Sequence, residues 1–334
     1  MSVEIKTAMI EPIRQTFDTV ARRFGDKRPP SRYQEASFDL QPMDNFHYRP
    51  VWDPEHDIYD AGRTALVMSD WDAFKDPRQY YYASYVIARA RLQESAEKSY
   101  SFVEKNQLVG LMPEHLLDRL QALVPLRHFE WAANQNNCFI TAYGYGSSIT
   151  QGAMYATTDR LGLAQYLSRI GLILDGNSGE ALKASKQAWL EAAEWQSMRR
   201  IAESLYVTKD WFEVLVAQDL VLDGLVHPLA YAEESVDMRE PGAATVLMLT
   251  ECMRDWFADQ AKWVDACVKL AREESAANAG LIDGWAQKWF DRASPAVAAI
   301  AIRLYGDDAG VHLARALEAF KARAKRLGIH LKEA

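Results

Sequence analysis

The chain has 334 residues, of which 49% are hydrophobic and 25% are charged, the balance of an ordinary globular protein. A chain of this length buries a large core, either as one large helical domain or as two smaller domains. The net charge of -8 argues against a nucleic-acid-binding surface as the main role.

The cysteines and the apolar segments indicate a reducing compartment. Cys138, Cys252 and Cys267 form no CxxC pair, and the last two lie in an apolar helical pattern, which predicts buried, reduced thiols. The N-terminal sequence MSVEIKTAMIEPIRQTF has no apolar signal region, and no run approaches the roughly 18 apolar residues typical of a membrane-spanning helix. We therefore expect a cytoplasmic protein.

Residues 1–75 predict an extended arm, and residues 76–334 predict a helical domain. Prolines recur through the arm and would interrupt any helix. Disordered segments are poor in aromatic residues, but this segment carries Tyr33, Phe38, Phe46, Tyr48, Trp52 and Tyr59. We expect the arm to dock on its own bundle or on a neighbouring chain. Two Asp-x-x-His spacings, at Asp44 and Asp53, lie among prolines where helical i, i+3 geometry is unavailable, so we do not expect them to bind a metal.

The first strong helix is predicted from Gln79 to Lys105. Its inner stripe is Tyr81, Tyr85, Ala88, Leu92, Ala96, Ser99 and Val103. Glu94 and Glu97 alternate with Arg and Lys, which favours a solvated, salt-bridged face over a pair of metal ligands.

The segment His115–Ala142 predicts a long buried helix. Its apolar face is Leu116, Leu120, Leu123, Leu126, Phe129, Ala133, Asn136 and Ile140. Glu130 lies in the middle of that face, next to an amide cluster at 134–137. In ferritin-like di-iron proteins such a helix carries a His three residues after the Glu, but here that position is Ala133. The segment therefore resembles a di-iron scaffold without its ligands.

A glycine-rich stretch follows, Gly144-Tyr-Gly146-Ser-Ser-Ile149. It begins like a dinucleotide-binding fingerprint, but Ile149 replaces the last glycine and a helix precedes it, so we reject nucleotide binding. The glycines predict a bent or unwound turn in a long helix, which then continues through Leu161, Ala164, Leu167, Ile170 and Leu174. Asp175–Gly179 predicts a turn, with Asn177 and Glu180 at capping-box spacing for a helix over about 180–206.

The segment Lys209–Leu229 is apolar on almost every face, which is typical of a central, buried helix. It nevertheless carries Glu213, Gln218, Asp219 and Asp223. Buried carboxylates are costly unless they are paired, metal-bound or protonated. In a metal-free protein we expect Arg, amide or hydroxyl partners, or an interface.

The C-terminal third predicts three further helices. Pro241-Gly242 precedes a long helix to about Ala277, a shorter one spans Ala279–Asp291, and Ser294-Pro295 caps the last. No strand or repeat is evident, and the total of about eight helices predicts an enlarged all-α helix bundle.

The histidines exclude the usual di-iron site. The chain has 7 His, and the residues three positions before them are Asp44, Asp53, Met112, Pro125, Gly224, Ala309 and Leu327, so Glu-x-x-His never occurs. His227-Pro228 predicts a histidine that caps a helix end rather than a general base paired with Asp223. Glu130, close to Arg127 and His128, is interpreted as a structural carboxylate.

Four segments carry a resemblance to a known family: Phe46–Asp60, Asp76–Tyr82, Arg127–Trp131 and Asp210–Asp223. The chain resembles, over its whole length, the β subunit of the hydroxylase of bacterial multicomponent monooxygenases. The phenol hydroxylase branch is the most similar, and the toluene monooxygenases come next.

This resemblance implies a ferritin-like (ribonucleotide-reductase-like) fold and a non-catalytic role for the chain, with no metal or cofactor of its own. The implied hydroxylase contains a di-iron α subunit and a small γ subunit, two copies of each chain, and hydroxylates phenol to catechol. A regulatory protein and a reductase with NADH, FAD and a [2Fe–2S] cluster complete the implied system.

Within that assembly we interpret five aromatic residues as interface anchors, since aromatic residues dominate interface hot spots. The candidates are Trp52, Tyr59, Tyr80, Tyr81 and Tyr82. Two alternatives stay open. The chain is an independent metalloenzyme if Glu94, Glu97, Glu130, Glu213 and Asp219 converge on one cavity. Otherwise it is a metal-free helical module for another partner, which the arm motif argues against.

Overall fold

The structure is a computed structural model that describes residues 18–25, 27, 29–40 and 49–332. Every regular element in these ranges is helical, and the predicted all-α class is confirmed. The α-helices are α1 (Asp18–Phe24), α2 (Arg32–Ser37), α3 (Tyr82–Lys105), α4 (Glu114–Leu123), α5 (Leu126–Tyr143), α6 (Ser147–Leu174), α7 (Glu180–Glu191), α8 (Ala193–Leu205), α9 (Trp211–Leu215), α10 (Asp223–Tyr231), α11 (Ala243–Glu274), α12 (Ala276–Tyr305) and α13 (Ala309–Arg326). A π-helical segment, Val216–Leu222, joins α9 to α10.

The centre of the bundle is the continuous element Trp211–Tyr231, formed by α9, the π segment and α10. By length and composition alone it could cross a membrane, but 94% of its most apolar window is buried inside the protein, as in a core helix. The helices α5, α11, α12 and α13 pack around it, and α6 lies against α5. The prediction of a central buried helix over Lys209–Leu229 is therefore confirmed.

The predicted helix His115–Ala142 is interrupted between α4 and α5. Pro125 has no N–H to donate, and the chain turns there with short-range hydrogen bonds from Arg127 N to Val124 O and from His128 N to Pro125 O. The break does not move the apolar face, because every residue of the predicted stripe from Leu116 to Ile140 is buried.

Two further predicted helices are interrupted. The 180–206 helix is split at Ala192, whose ψ of 135° is extended. The segment around Gly144 is unwound and separates α5 from α6, which is the second of the two outcomes that we predicted for the glycines, and Gly146 has a φ of 91°. A side chain at Gly146 would collide with the carbonyl oxygen of Trp71, since an ideal Cβ lies 2.5 Å from it.

The predicted capping box at Asn177 is wrong. Gly179 precedes α7, and the carboxylate of Asp175 accepts hydrogen bonds from the backbone N–H groups of Ser178 and Ala181. An acidic side chain is favourable at this position because the helix N-terminus carries partial positive charge. Asp175 therefore satisfies the free N–H groups that we assigned to Asn177.

The C-terminal helices run differently from the prediction, because Pro295 lies inside α12 and does not start a new helix. Pro295 faces solvent, and the preceding Ser294 hydroxyl donates a hydrogen bond to the carbonyl of Phe290. Gly306, with a φ of 54°, terminates α12. Burial of one face of α12 outweighs the single hydrogen bond that a proline removes.

The described part of the arm docks on its own bundle. Tyr33 and Phe38 are buried, and the Tyr33 hydroxyl accepts a hydrogen bond from the backbone N–H of Asp76 at 2.6 Å. Further along, the Asn278 side chain accepts from the N–H of Val67 and donates to its carbonyl. Phe46 and Tyr48 lie outside the described residues, and the division of the chain at residue 75 stays a prediction.

Candidate functional site

Arg160 lies among three buried carboxyl groups of the core. Arg160 of α6 is 0% exposed, and its Nη1 is 2.9 Å from Oε2 of Glu130 on α5. Its Nη2 is 3.2 Å from Oδ1 of Asp219 in the π segment and also contacts Asp223 at the start of α10. We call these four residues the Arg160 cluster.

Buried amides orient the acidic side chains of the Arg160 cluster. Asn137 donates a hydrogen bond to Asp219 Oδ1 at 3.0 Å, and Gln218 donates to Asp223 Oδ1 at 3.0 Å. Asn136 in turn donates to Gln218 at 2.9 Å. The expectation that the buried carboxylates of the central segment find Arg or amide partners is thus confirmed for Asp219 and Asp223, and Glu130 on α5 has the same arginine partner.

Glu213, the remaining acidic residue of this segment, has its own partners away from the Arg160 cluster. Its Oε1 accepts hydrogen bonds from Lys288 Nζ at 2.7 Å and from the indole N–H of Trp289 at 2.9 Å. Glu213 therefore anchors the start of the central helix to α12.

Three carboxyl groups share one guanidinium in a dry core, and Arg323 adds a further positive charge that acts on Asp223. Burial raises the pKa of Glu130 to about 7, although Arg160 opposes this effect. Burial and the proximity of Asp223 raise the pKa of Asp219 in the same direction. Burial by itself lowers the pKa of Arg160, but the three carboxylates reverse this and raise it above its usual value. The arginine stays charged, Glu130 and Asp219 are partly protonated near neutral pH, and burial also raises the pKa of Asp223.

His227 borders the Arg160 cluster and does not cap a helix end, so that prediction is wrong. Its ring is 2% exposed, within α10, and lies 4.9 Å from the ring centroid of Phe257 in a parallel stack. Its Nε2 is 3.6 Å from Oε1 of Glu130. Burial lowers the pKa of His227 well below its usual value, and Arg160 adds to the effect, so the imidazole is neutral.

The carboxylates proposed for an independent metalloenzyme do not converge. Glu94 and Glu97 are exposed on α3, and Glu97 pairs with Arg169 at 2.8 Å. Glu213 binds Lys288, so only Glu130 and Asp219 of that set share a neighbour, Arg160. Within the described ranges, no three His, Cys, Asp or Glu side chains are arranged to hold a metal ion. The positions of these side chains contradict the alternative that the chain is an independent metalloenzyme with these five ligands.

The aromatic residues that we predicted as interface anchors differ in their exposure. Trp52 is 69% exposed and Tyr82 is 75% exposed, whereas Tyr59, Tyr80 and Tyr81 are half-buried. The Tyr80 hydroxyl donates to Asp259 Oδ2 at 2.9 Å, so Tyr80 joins α11 to the start of α3. The structure therefore leaves Trp52 and Tyr82 as the two candidates with large exposed surfaces.

Trp52 is held rigidly although it is exposed. Its indole N–H donates to the Tyr143 hydroxyl at 2.9 Å, and the Arg63 guanidinium lies 4.8 Å from the centre of the Tyr143 ring. Asp53 pairs with Arg63 at 2.5 Å and with His56 at 3.1 Å, and a turn, not a helix, brings Asp53 and His56 together. The adjoining cleft of about 730 Å³ is lined by residues that include Phe139, Tyr206 and Val207.

The sequence reasoning missed Arg160 altogether. The signal is present in the helical period, because Arg160 lies on the buried stripe Ala153, Ala156, Arg160, Leu163, Leu167 and Ile170. Our predicted series contains Leu167 and Ile170 of this buried stripe, but it begins at Leu161, which is 38% exposed, and so it omits Arg160. A charged residue in phase with an apolar stripe predicts a buried ion pair with the acidic residues of a facing helix.

Comparison with known proteins agrees with this geometry. Residues 52–275 match the family of methane, phenol and alkene hydroxylases. The oxygenase component DmpL of phenol 2-monooxygenase from Pseudomonas sp. (strain CF600) is 47% identical over 334 residues, covering 100% of both chains. This chain belongs to that hydroxylase family. The predicted resemblance to its phenol hydroxylase branch is confirmed.

More distant relatives fit the same assignment. The β subunit of the toluene-4-monooxygenase hydroxylase from Ectopseudomonas mendocina is 25% identical over 289 residues, which are 81% of this chain and 86% of that subunit. A chain in the crystal structure of xenon-pressurised phenol hydroxylase from Pseudomonas sp. OX1 superposes with a TM-score of 0.91 at 43% identity. That match covers 99% of this chain and 100% of that chain, and it supports the predicted ferritin-like fold.

Proposed function

We propose that the chain is the non-catalytic structural subunit of the hydroxylase component of a phenol monooxygenase. The observation that carries this proposal is the full-length similarity to an oxygenase component of phenol 2-monooxygenase, at 47% identity. The Arg160 cluster supports it, because a guanidinium occupies the part of the core where the acidic residues meet.

Under this proposal the catalytic chemistry belongs to partner chains. A di-iron α subunit hydroxylates phenol to catechol, and a small γ subunit completes the hydroxylase, with two copies of each chain. A reductase carrying FAD and a [2Fe–2S] cluster delivers electrons from NADH, and a regulatory protein controls the reaction. The complex works in the cytoplasm, and this chain carries no cofactor.

The physical contribution of the chain is a rigid surface for the α subunit. Its helices pack on a continuous apolar core and are linked inside that core by the buried Arg160 cluster. This packing holds the outer helices at fixed spacing. A large interface with such a body fixes the positions of partner helices more precisely than mobile loops do.

Trp52 is the anchor that we favour on that surface. Its indole is largely exposed, yet its N–H donates a hydrogen bond to Tyr143, and the Arg63 guanidinium packs over the Tyr143 ring. A side chain that is ordered before binding loses little entropy when a partner covers it, and tryptophan is enriched at hot spots for this reason. Tyr82 is a second, separate contact by its exposure.

The subunit assignment is tested by measuring iron content and mass, first for the chain alone and then after co-expression with its genomic neighbours. We expect an iron-free chain alone and a large iron-bearing assembly on co-expression. About two irons per chain in isolation would overturn the proposal and make the carboxylates of this chain the active site.

The anchor is tested with Trp52→Ala, and Val311→Ala, an exposed apolar residue on α13, is the matched control. Trp52→Ala should weaken assembly by about 2 kcal/mol or more, since truncated hot-spot residues cost that much, and the control should cost little. Size-exclusion chromatography over a concentration series measures both. Assembly equal to that of the control, or loss of iron from fully assembled complex, contradicts the proposed role.

A further inference from the structure

We propose that the outer face of α5 and α6 is a second docking surface for the di-iron α subunit, and that an uncharged helical face of that partner covers it. The inference rests on the proposed function, because it assumes that an α subunit binds this chain. It extends the contact from the single anchor at Trp52 to the pair of helices that carries Glu130 and Arg160.

The exposed residues of α5 and α6, two helices that the structure describes from end to end, carry no charge. On α5 they are Trp131, Gln135, Cys138 and Ala142. On α6 they are Met154, Thr158, Leu161 and Gln165. We call these residues the α5–α6 face. In a chain of which 25% is charged, a helix that faces solvent normally exposes charges, as α3 does at Glu94 and Lys98.

The two stripes form one surface, because α5 and α6 lie side by side and antiparallel. Glu130 of α5 contacts Arg160 of α6 at 2.9 Å. One turn later on α5, Asn134 donates to the carbonyl of Thr157, about one turn earlier on α6, at 2.8 Å. Since these contacts point into the bundle, the exposed stripes lie next to each other on its outside.

The composition of the α5–α6 face is that of an interface. Trp131 is 54% exposed, Met154 is 51% exposed and Leu161 is 38% exposed. Tryptophan and methionine are enriched where proteins meet, and charged residues are depleted from the centre of such contacts. A large apolar patch on a soluble chain marks a surface that a partner covers.

A groove beside the α5–α6 face has room for side chains of the partner. It lies between α3 and α6, has a volume of about 570 Å³ and is bordered by Leu161, Gly162 and Gln165. A Cβ at Gly162 would meet no atom within 4 Å, so the groove is open there. The guanidinium groups that line it, Arg89 and Arg169, already pair with carboxylates of this chain. The groove therefore offers shape and apolar contact.

The position of the α5–α6 face favours the α subunit over a second copy of this chain. Tyr143, the last residue of α5, accepts the hydrogen bond of Trp52, so a partner that covers the anchor also reaches the end of α5. Two copies of this chain repel each other, because each carries a net charge of -8. An uncharged face fits an uncharged partner face, since a charge buried there would lose its hydration without gaining a counter-ion.

Cys138 reports directly on whether the α5–α6 face is covered, since it is exposed in this chain whereas Cys252 and Cys267 are buried. The co-expressed, iron-bearing complex is treated with N-ethylmaleimide, and modified peptides are quantified by mass spectrometry. Gln187→Cys supplies an internal reference at an exposed position of α7. We expect Cys138 to react at least about tenfold more slowly than the introduced thiol in the complex, and at a similar rate in the chain alone.

Charge placed on the α5–α6 face should oppose assembly. Gln135→Arg and Gln135→Glu each add one charge in the middle of the face, and Gln187→Arg and Gln187→Glu are matched controls on α7, near Lys183 and Glu191. Both Gln135 variants should weaken assembly more than about tenfold and both controls less than about twofold, since a buried charge without a partner is costly. Size-exclusion chromatography over a concentration series measures this.

The possible outcomes separate this inference from the proposed function. Rapid labelling of Cys138 in a complex that retains its iron overturns the inference and leaves the proposed function intact, as does unchanged or tighter assembly of a Gln135 variant. If a Gln135 variant does not fold, the labelling ratio decides. Protection of Cys138 in the chain alone, with the mass of a dimer, assigns the face to a second copy and also overturns the inference. Failure to form any iron-bearing complex refutes the proposed function, and the inference with it.

Discussion

Replacing Arg160 by methionine tests how much the buried guanidinium contributes to the stability of the core. The substitution keeps an unbranched side chain of similar length and removes the guanidinium that Glu130, Asp219 and Asp223 share. Breaking a buried ion pair by removing one partner costs about 3–5 kcal/mol, because the remaining charge stays buried without compensation. We expect Arg160→Met to lose about that much stability at pH 7.

The size of this loss should depend on pH in a definite direction. Arg160 lowers the pKa of Glu130, of Asp219 and of Asp223, so its removal raises all three pKa values further above those of the unfolded chain. A carboxyl group with a raised folded-state pKa contributes stability that is present below its unfolded pKa and lost as pH rises through the folded pKa. The deficit of Arg160→Met should therefore grow between pH 5 and pH 8. The growth is at most about 1.4 kcal/mol for each group with a wild-type pKa of about 7, because only the last pH unit of that range lies above this value.

Urea unfolding of both chains at pH 5 and pH 8 measures this effect. Arg169→Met is the control, since Arg169 is 28% exposed in its side chain and its two carboxylate partners are in contact with solvent. Its loss should stay within about 1 kcal/mol at both pH values. An Arg160→Met deficit that is the same at both pH values, or that does not exceed the control, refutes the argument that unpaired buried carboxylates set the cost.

Two further predictions follow from the core. Glu130→Gln keeps an acceptor for Arg160 and removes the ionisable group. Because burial raises the pKa of Glu130 to about 7, the free energy of unfolding of the wild-type chain should fall by about 3 kcal/mol more between pH 5 and pH 8 than that of the variant. Equal pH slopes in urea unfolding would contradict this assignment. Gly152→Ala should cost several kcal/mol, since its Cβ would lie 2.3 Å from the Trp263 ring. Gly162→Ala on the same helix meets no atom within 4 Å and should stabilise by about 0.5–1 kcal/mol in thermal unfolding.

The ends of the helices could not be predicted from local sequence signals alone. Pro125 breaks a helix, while Pro295, which shares the same local restriction, lies within α12. The two prolines differ in their packing environment, and a proline costs only a few kcal/mol, which burial of a long helix face offsets. Periodicity alone cannot weigh these terms, because the neighbours that α12 buries are distant in the sequence.

The sequence by itself determined the helical class, the buried face from Leu116 to Ile140 and the central position of the Asp219 helix, since these follow from the 3.6-residue period and from hydrophobicity. It also determined that the buried carboxylates need partners, because a desolvated charge is costly wherever it lies. Only the tertiary structure decided that the partner is Arg160, on a helix 59 residues from Asp219 and 30 from Glu130. That pairing depends on how three helices pack, and packing is a property of the whole chain.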